Sequence, residues 1–230
     1  MEAPEITPET QIYCDMDGVL VDFETTVIAL LNATLDNEKL PMLPKRKAYY
    51  YLRGEVQRKL GDDWRASATA DLQIPEVRSF MFEVVGSNPA AVFSVMQPFP
   101  DAISTLWPFI TGAGYVVNIL TAPITARKHA PEGSTAALGK TQWVTNPDNG
   151  LIPQPARVII SPARSKADYA VINGVSNILI DDKASTVDAW NDRGGIGILH
   201  IPGNSAKTVT ELKKAGLNRG DLQGARNENQ

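Results

Sequence analysis

Short, nearly continuous apolar runs recur along the chain, separated by segments in which apolar residues stand three or four positions apart. Continuous runs are typical of strands buried on both faces of a sheet, whereas the wider spacing is typical of helices with one buried face. The alternation predicts an α/β fold, Rossmann-like, with a parallel five-stranded sheet flanked by helices. The five predicted strands are residues 12–14, 115–120, 157–160, 177–180 and 196–199.

Two helices between these strands and one after the last strand are predicted from their apolar spacing and their ends. One follows Asp22, and a second follows Asp101, which is a candidate N-cap. The second helix should end or kink at Pro108, because proline lacks the N–H that an interior helical bond needs. The last helix is expected to begin at 204–205 and to stop at Gly216.

Residues 37–96 break the alternation, since this stretch is aromatic and basic in places without a clear strand. We interpret it as a mostly helical cap inserted after the first strand and helix. The predicted catalytic core is then residues 11–36 and 97–215. Residues 1–10 and 216–230 are predicted to be flexible termini.

The composition limits the kinds of site that the chain can build. Its 230 residues, 43% of them hydrophobic, suffice for one α/β core with a smaller lobe. One cysteine and two histidines exclude a disulfide framework and a zinc site rich in either residue. The first ten residues do not resemble a signal peptide, and no run approaches 18 apolar residues. We therefore expect a cytoplasmic protein without a membrane span.

The charge balance bears on the partner. Acidic residues number 26 against 22 basic ones, the net charge is −4, and there is no long basic run. Binding to a nucleic-acid backbone depends on clustered lysine and arginine. We therefore expect a small-molecule partner, with no long nucleic acid and no membrane.

Four carboxylates follow two of the predicted strands. Asp15 and Asp17 come after the first, and Asp181 and Asp182 come after the fourth, more than 160 positions later. If the two strands are neighbours, their carboxyl ends open into one crevice. Two carboxylates about 4 Å apart repel by roughly 4 kcal/mol at an effective dielectric near 20, so the cluster needs a cation or protons. Oxygen ligands of this kind favour Mg²⁺ over zinc or copper.

The spacing of Asp15 and Asp17 allows both carboxylates to act on the same group. Residues two apart on an extended strand point to the same side, so Asp15 and Asp17 can both face one phosphoryl group. Gly18 then permits a sharp exit from the strand. An Asp-Gly hairpin turn between two short strands is the alternative interpretation of this segment.

Residues 14–23, Cys-Asp-Met-Asp-Gly-Val-Leu-Val-Asp-Phe, resemble motif I of the haloacid dehalogenase (HAD) superfamily of phosphohydrolases. The resemblance implies that Asp15 attacks phosphorus and that Asp17 is the general acid and base. Cys14, directly before the nucleophile on a buried strand, is expected to pack rather than to react.

Three further motifs follow in the same order. Thr121 and Ala122 match motif II, in which a hydroxyl and the next backbone N–H hold a phosphate oxygen. Motif III is a lysine that neutralises phosphate and nucleophile, and Lys166 is our choice, with Arg164 and Lys140 as competitors.

Motif IV is matched by Asp181 and Asp182, followed by Lys183. The resemblance implies that Asp181 binds the metal directly and that Asp182 orients a metal-bound water. With Asp15 and the backbone carbonyl of Asp17, these acids would form a site for Mg²⁺.

Within the superfamily, residues 11–36 and 97–201 look most like the 5'(3')-deoxyribonucleotidases, which cleave phosphate from nucleoside monophosphates. In that family an aromatic residue just beyond motif I lines the base pocket, and Phe23 matches it by spacing. The cap is matched poorly, and its aromatic residues at 49–51, 80 and 82 are candidates by type alone, with a role in the core of the lobe as the commoner alternative.

The predicted function is therefore a Mg²⁺-dependent phosphomonoesterase for nucleoside monophosphates. Two alternatives stay open. One is a HAD phosphatase for another small phosphate or for a terminal phosphate of nucleic acid, and the other is a catalytically silent phosphate-binding protein. A homodimer is possible, although no residue supports it.

Overall fold

A computed structural model places five parallel strands in one sheet, as the apolar runs predict. The structure describes residues 4–36, 47–124, 133 and 135–218. In chain order the strands are β1 (Gln11–Cys14), β2 (Val116–Thr121), β3 (Arg157–Ile160), β4 (Val171–Ile172), β5 (Val175–Ser176), β6 (Ile178–Asp181) and β7 (Ile196–Leu199). The sheet order is β3-β2-β1-β6-β7, and β4 and β5 form a separate antiparallel hairpin.

The central position of β1 follows from its residues. Ile12, Tyr13 and Cys14 are fully buried, and β6 is buried along its whole length. Cys14 pairs with Ile119 on one side and with Ile180 on the other. The carboxyl ends of β1, β2 and β6 therefore lie at one edge of the sheet, where open α/β sheets bind their ligands.

Eight α-helices occur in the described residues. They are α1 (Phe23–Asp36), α2 (Lys47–Leu60), α3 (Pro75–Ser87), α4 (Pro89–Ser94), α5 (Trp107–Gly112), α6 (Ala136–Thr145), α7 (Ala184–Asp192) and α8 (Ser205–Lys214). Short 3₁₀ helices cover Thr69–Gln73, Pro147–Asn149 and Ala163–Tyr169. No helix in this part of the chain is both long and apolar enough to cross a membrane.

The chain divides into two compact units, which we call the sheet unit and the helical unit. The sheet unit comprises the described residues of 1–22, 98–123 and 144–230, and the helical unit those of 23–97 and 124–143. The region expected to form a helical cap contains α2, α3 and α4 and, over residues 47–96, no strand. The first ten residues of that region, 37–46, lie outside the described part.

The helical unit also takes in α1, which the sequence-based boundaries assign to the core. The reason lies in polar contacts of this helix. Asn32 donates to the carbonyl of Ala66 and accepts from its N–H, at 2.8 and 2.9 Å. The Thr69 hydroxyl donates to Glu24 at 2.6 Å. These contacts attach α1 to the segment that follows α2.

Two predicted helix signals act differently in the structure. Asp101 makes no side-chain cap to the turn that follows it, and its Oδ2 instead accepts the Ser205 N–H at 2.7 Å, at the start of α8. The expectation that it caps the next helix is therefore wrong. The helix does not end at Pro108, because a π-helical turn over Ala102–Leu106 is followed directly by α5, which begins at Trp107 and continues to Gly112, and a kink at this proline stays a prediction.

Parts of the predicted flexible termini make defined contacts. Thr10 is buried, and its hydroxyl donates to the carbonyl of Ser176 at 3.0 Å. Leu217 is fully buried, and its N–H donates to the carbonyl of Leu212 at 2.9 Å. Residues 1–3 and 219–230 lie outside the described part of the chain.

Candidate active site

Three carboxylates meet at the carboxyl edge of the sheet. Asp15 follows β1, and Asp181 and Asp182 come at the end of β6, so the pairing of these two strands brings them together. One oxygen from each lies within 4.8 Å of the others. Asp15 is 4% exposed and Asp181 is fully buried. At such separations in a buried site the carboxylates repel one another strongly unless a cation or protons intervene.

Lys166 supplies one positive charge to this cluster. Its Nζ lies 2.9 Å from Asp15 Oδ2 and 2.7 Å from Asp181 Oδ2. Burial lowers the pKa of Lys166, but Asp15 and Asp181 together raise it above its usual value. The ammonium is therefore charged at neutral pH. Of the three basic candidates for motif III, Lys166 is the one that contacts Asp15 and Asp181. Arg164 is exposed, and the Lys140 ammonium lies over the ring of Phe93 within the helical unit.

An aromatic cluster positions the short helix that carries Lys166. This 3₁₀ helix ends at Tyr169, whose ring lies 5.6 Å from that of Tyr13 on β1. Trp190 packs against Tyr13 at the same distance and donates its indole N–H to the carbonyl of Asn177 at 3.0 Å. Aromatic pairs of this kind contribute about 0.5–1.5 kcal/mol beyond the area they bury. The lysine therefore approaches Asp15 from a segment packed on the strand that precedes that residue.

Asp15 is held at both of its carboxylate oxygens. The Met16 N–H donates to Oδ1 at 2.7 Å, and Lys166 donates to Oδ2. The Cys14 thiol donates to the Asp15 carbonyl at 3.3 Å and is fully buried. Burial, with the nearby Asp15 charge, raises the pKa of Cys14 well above its usual value. The thiol is thus protonated at neutral pH, in agreement with a packing role.

Asp181 and Asp182 differ in their hydrogen bonds. Asp181 accepts from Lys166 at Oδ2 and from the Lys183 N–H at Oδ1, at 2.7 and 2.9 Å. Asp182 Oδ1 is buried and accepts no hydrogen bond from the described residues. Burial, with repulsion from Asp15 and Asp181, raises the pKa of Asp182 to about 7. Burial and Asp15 also raise the pKa of Asp181.

The arrangement satisfies two requirements of a divalent-metal site. When all three carboxylates are ionised, their three negative charges exceed the one positive charge of Lys166 by two, which is the charge of one such ion. The buried oxygen of Asp182 also lacks a partner that a metal could supply. An all-oxygen donor set is the kind that Mg²⁺ prefers.

A tight loop follows β1 and contains Asp17. The Met16 carbonyl accepts the N–H groups of Val19, Leu20 and Val21, at 3.3, 2.8 and 3.0 Å. The loop leads into α1 rather than into an antiparallel strand, so the hairpin interpretation of this Asp-Gly pair is wrong. The Asp17 carboxylate is not among the three clustered ones, and the catalytic role implied for it stays a prediction.

Thr121 ends β2 at the same edge of the sheet and is fully buried. Ala122 is the next residue along the chain. The Thr121 carbonyl accepts the Ser161 N–H at 2.9 Å, which ties this strand exit to that of β3. The structure thus places both motif II positions at the edge that carries Asp15, and their contact with phosphate stays a prediction.

Aromatic residues of the helical unit pack mainly on one another. The ring of Phe23 stacks on that of Phe93, with centroids 6.0 Å apart, and Phe80 lies against Tyr49 at 5.5 Å. Phe80 and Tyr49 are buried, which favours the core interpretation for them, whereas Tyr51 is exposed. The role of Phe23 in substrate binding stays a prediction.

Sequence reasoning missed two features of this edge. The Lys183 N–H that holds Asp181 belongs to the backbone, so no residue type could reveal it. Ser161 is buried beside the exit of β2, and it could have been found because it directly follows a predicted strand, as Asp15 does.

No protein-family model and no curated protein matches this chain. Among solved structures, it is similar to a haloacid dehalogenase-like family hydrolase from Xanthomonas campestris, with 14% identity, a TM-score of 0.46, and coverage of 98% of this chain and 99% of that one. A hydrolase from Streptococcus pneumoniae gives 14% identity, a TM-score of 0.45, and coverage of 89% and 100%. A defluorinating L-2-haloacid dehalogenase has 14% identity to this chain and a TM-score of 0.43, with coverage of 89% of this chain and 88% of that one. These similarities are too distant to assign an activity.

Proposed function

We propose that this chain is a Mg²⁺-dependent phosphomonoesterase that works through an aspartyl-phosphate on Asp15. The observation that carries the proposal is the cluster of buried Asp15, Lys166 and Asp181 with partly buried Asp182 at the carboxyl edge of the sheet. Such a cluster is costly to bury, and it provides a nucleophile, a fixed cation and oxygen ligands in one place.

In the proposed first step, an Asp15 carboxylate oxygen forms a bond to phosphorus and the bond from phosphorus to the ester oxygen breaks. Asp17 begins the cycle protonated and gives its proton to the leaving oxygen. Lys166, which already touches Asp15, neutralises charge on the phosphoryl oxygens. Covalent catalysis of this kind divides one difficult hydrolysis into two easier displacements.

In the second step, Asp17 takes a proton from water while the water oxygen forms a bond to phosphorus. The bond between Asp15 and phosphorus breaks, and inorganic phosphate leaves. Thr121 and the Ala122 N–H would hold a phosphate oxygen through both steps. One carboxyl thus serves as acid and then as base, so its two tasks return it to its starting protonation state.

The hydrogen bonds favour a division of labour between the motif IV acids that reverses the one implied by the resemblance. Asp181 already has a donor at each oxygen, whereas Asp182 has a buried oxygen without one. We therefore assign the direct metal contact to Asp182 and Asp15, and the orientation of Lys166 to Asp181. Mg²⁺ held there would supply positive charge to the phosphate and the carboxylates.

Nucleoside monophosphates are the substrate class that we propose first. The support is the resemblance of residues 11–36 and 97–201 to deoxyribonucleotidases, together with the position of Phe23 one residue after Asp22 at the end of motif I. The acidic net charge disfavours long nucleic acid. Another small phosphomonoester would use the same nucleophile and cation.

The test is release of phosphate from deoxy- and ribonucleoside monophosphates and from small sugar phosphates, with Mg²⁺ or with a chelator. Wild type is compared with Asp15→Asn and with Asp192→Asn, which alters an exposed carboxylate on α7. We expect Asp15→Asn to lower turnover by at least about a thousandfold, because it removes the nucleophile, while Asp192→Asn behaves as wild type.

Each possible outcome distinguishes between two of the proposed substrates, mechanisms or functions. Turnover of sugar phosphates alone would keep the mechanism and refute the nucleotide substrate. Turnover that persists in Asp15→Asn would refute the covalent mechanism. No turnover, combined with phosphate binding that Asp15→Asn leaves intact, would favour the silent binding protein.

A further inference from the structure

We infer that Gly18 is a positioning residue for Asp182: the lack of a side chain at position 18 sets where the Asp182 carboxylate lies. The inference rests on the proposed function, because it concerns the same metal site. It assigns to the glycine of motif I a contact with motif IV, more than 160 positions along the chain.

The geometry at Gly18 excludes a side chain for two separate reasons. Its φ is +76°, in the left-handed region that residues with a Cβ rarely adopt. A Cβ built on it would also lie 2.4 Å from Asp182 Oδ2 and 2.7 Å from Asp182 Cγ. Atoms cannot approach so closely, so either the loop or the carboxylate would have to move.

The loop is the less mobile of the two partners. The Gly18 N–H donates to the Val21 carbonyl at 3.0 Å, and the Met16 carbonyl accepts three N–H groups of the same loop. Asp182 has no comparable restraint, since no described residue donates to its Oδ1. A methyl group at position 18 is therefore expected to displace the Asp182 carboxylate.

Such a displacement bears directly on a metal. Mg²⁺ requires nearly ideal octahedral geometry, with oxygen ligands at about 2.0–2.1 Å. The oxygens of Asp15, Asp181 and Asp182 now lie within 4.8 Å of one another. Movement of one of them away from that arrangement should weaken binding, whereas Asp181, held by two donors, should stay in place.

Gly203 provides a matched control in the sheet unit. Its φ is +73°, almost the same as that of Gly18, but a Cβ there would meet nothing within 4 Å. Gly203→Ala therefore carries the backbone strain of Gly18→Ala without its contact. Any difference between the two variants reports on the contact with Asp182.

The experiment measures Mg²⁺ binding by titration calorimetry and thermal unfolding in the presence of a chelator. Both alanine variants should lose about 2–8 °C in Tm from the left-handed backbone. Gly18→Ala should lose more than that, and its Kd for Mg²⁺ should rise by about tenfold or more, as for other residues that orient ligands. Gly203→Ala should bind Mg²⁺ as wild type does. Equal Mg²⁺ affinity in both variants would overturn the inference.

A second comparison uses Asp182→Ala, which removes the two atoms that the new methyl group would meet most closely, Oδ2 and Cγ, and keeps the Asp182 Cβ at 3.2 Å. In that background the extra Tm loss of Gly18→Ala over Gly203→Ala should become clearly smaller. If the Tm loss of Gly18→Ala beyond that of Gly203→Ala is as large with Asp182→Ala as with Asp182 present, the proposed contact is overturned. If Gly18→Ala fails to fold, recovery of folding in the Asp182→Ala background supports the contact, and continued failure overturns it.

These readouts separate the inference from the proposed function. If wild type binds no Mg²⁺, the proposed metal site is refuted, and so is the predicted effect of Gly18→Ala on Mg²⁺ affinity. The unfolding comparison in chelator needs no metal, so it still supports or overturns the contact between Gly18 and Asp182.

Discussion

Asp182 is the residue whose protonation should respond most directly to pH near neutrality. Burial and two neighbouring carboxylates raise its pKa from 3.8 to about 7. The unfolded chain releases this proton near pH 4, whereas the folded protein keeps it up to about pH 7. Between these values the folded state binds more protons, so stability falls as pH rises.

We therefore expect the metal-free protein to lose stability as the pH rises from about 4 to 7, and Asp182→Asn to reduce that slope. Urea unfolding across this range, in chelator, measures the effect. Asp188→Asn, which changes an exposed carboxylate on α7, is the control and should keep the wild-type slope. A slope in Asp182→Asn equal to that of wild type would contradict the prediction.

Lys166 offers a second test at the scale of one residue. Its ammonium is the positive charge that touches Asp15 and Asp181, and its side chain is only 2% exposed. Removing one partner of a buried ion pair leaves uncompensated charge, at a cost of about 3–5 kcal/mol. We expect Lys166→Met to lower the metal-free unfolding free energy by about that amount.

The control for this variant is Lys214→Met, which removes an exposed lysine of α8 that pairs with Glu211. Exposed pairs contribute about 0–1 kcal/mol, so this change should be small. Mg²⁺ should restore part of the loss in Lys166→Met, because both cations neutralise the same carboxylates. Equal unfolding free energies for the two variants would show that the ion pairs of Lys166 contribute no more to stability than an exposed pair does.

At the scale of elements, two glycines inside helices have opposite surroundings. Gly54 in α2 has open space where a Cβ would lie, whereas a Cβ on Gly139 in α6 would come 2.4 Å from the carbonyl oxygen of Ala90 on α4. Gly54 lowers the stability of α2, although no neighbouring atom requires the absence of a side chain there. The second permits two helices of the helical unit to approach closely, and Trp143 extends the contact by donating to the carbonyl of Met96 at 2.7 Å.

We expect Gly54→Ala to raise the free energy of unfolding by about 0.5–1 kcal/mol, the propensity difference between these residues in a helix. Gly139→Ala should lower it by about 1–3 kcal/mol, because the methyl group would overlap backbone. Urea unfolding of both variants measures the contrast, and each is the control for the other. Stabilisation by both changes would refute the close approach of α6 and α4.

The strands were predictable because each is a contiguous apolar run that ends at a polar residue. The predicted limits fall within one residue of β1, β2, β3, β6 and β7. The hairpin of β4 and β5 was missed because two-residue strands leave no periodic pattern. Its turn at Asn173 and Gly174, both with positive φ, was the one available signal.

The site was predictable as a set of side chains but not in its internal arrangement. Acids after two strands, once the strands pair, must share an edge, and this places Asp15 near Asp181 and Asp182. The different situations of the two motif IV acids depend on a backbone N–H and on the approach of Lys166 from another segment. The partnership of Asp101 with Ser205 is likewise set by tertiary structure.

For the whole molecule, Mg²⁺ should act as a stabilising ligand. A ligand that binds the folded state alone at about 100 times its Kd adds about 2.7 kcal/mol, or about 5–10 °C in Tm for a chain of this size. We expect that rise for wild type in a thermal scan. Asp15→Asn should show a smaller rise, and KCl at matched ionic strength is the control. An equal rise with KCl would indicate general charge screening instead of a site.

The strand order also affects how the protein is made. β1 pairs on one side with β2, more than 100 positions later, and on the other with β6, more than 160 positions later. A ribosome adding about 5–20 residues per second needs roughly 10–30 s to cover that distance. During this interval Asp15 has been translated while Lys166 and Asp181 have not, so a newly made chain cannot assemble its proposed catalytic centre until Asp181 and Asp182 have been added.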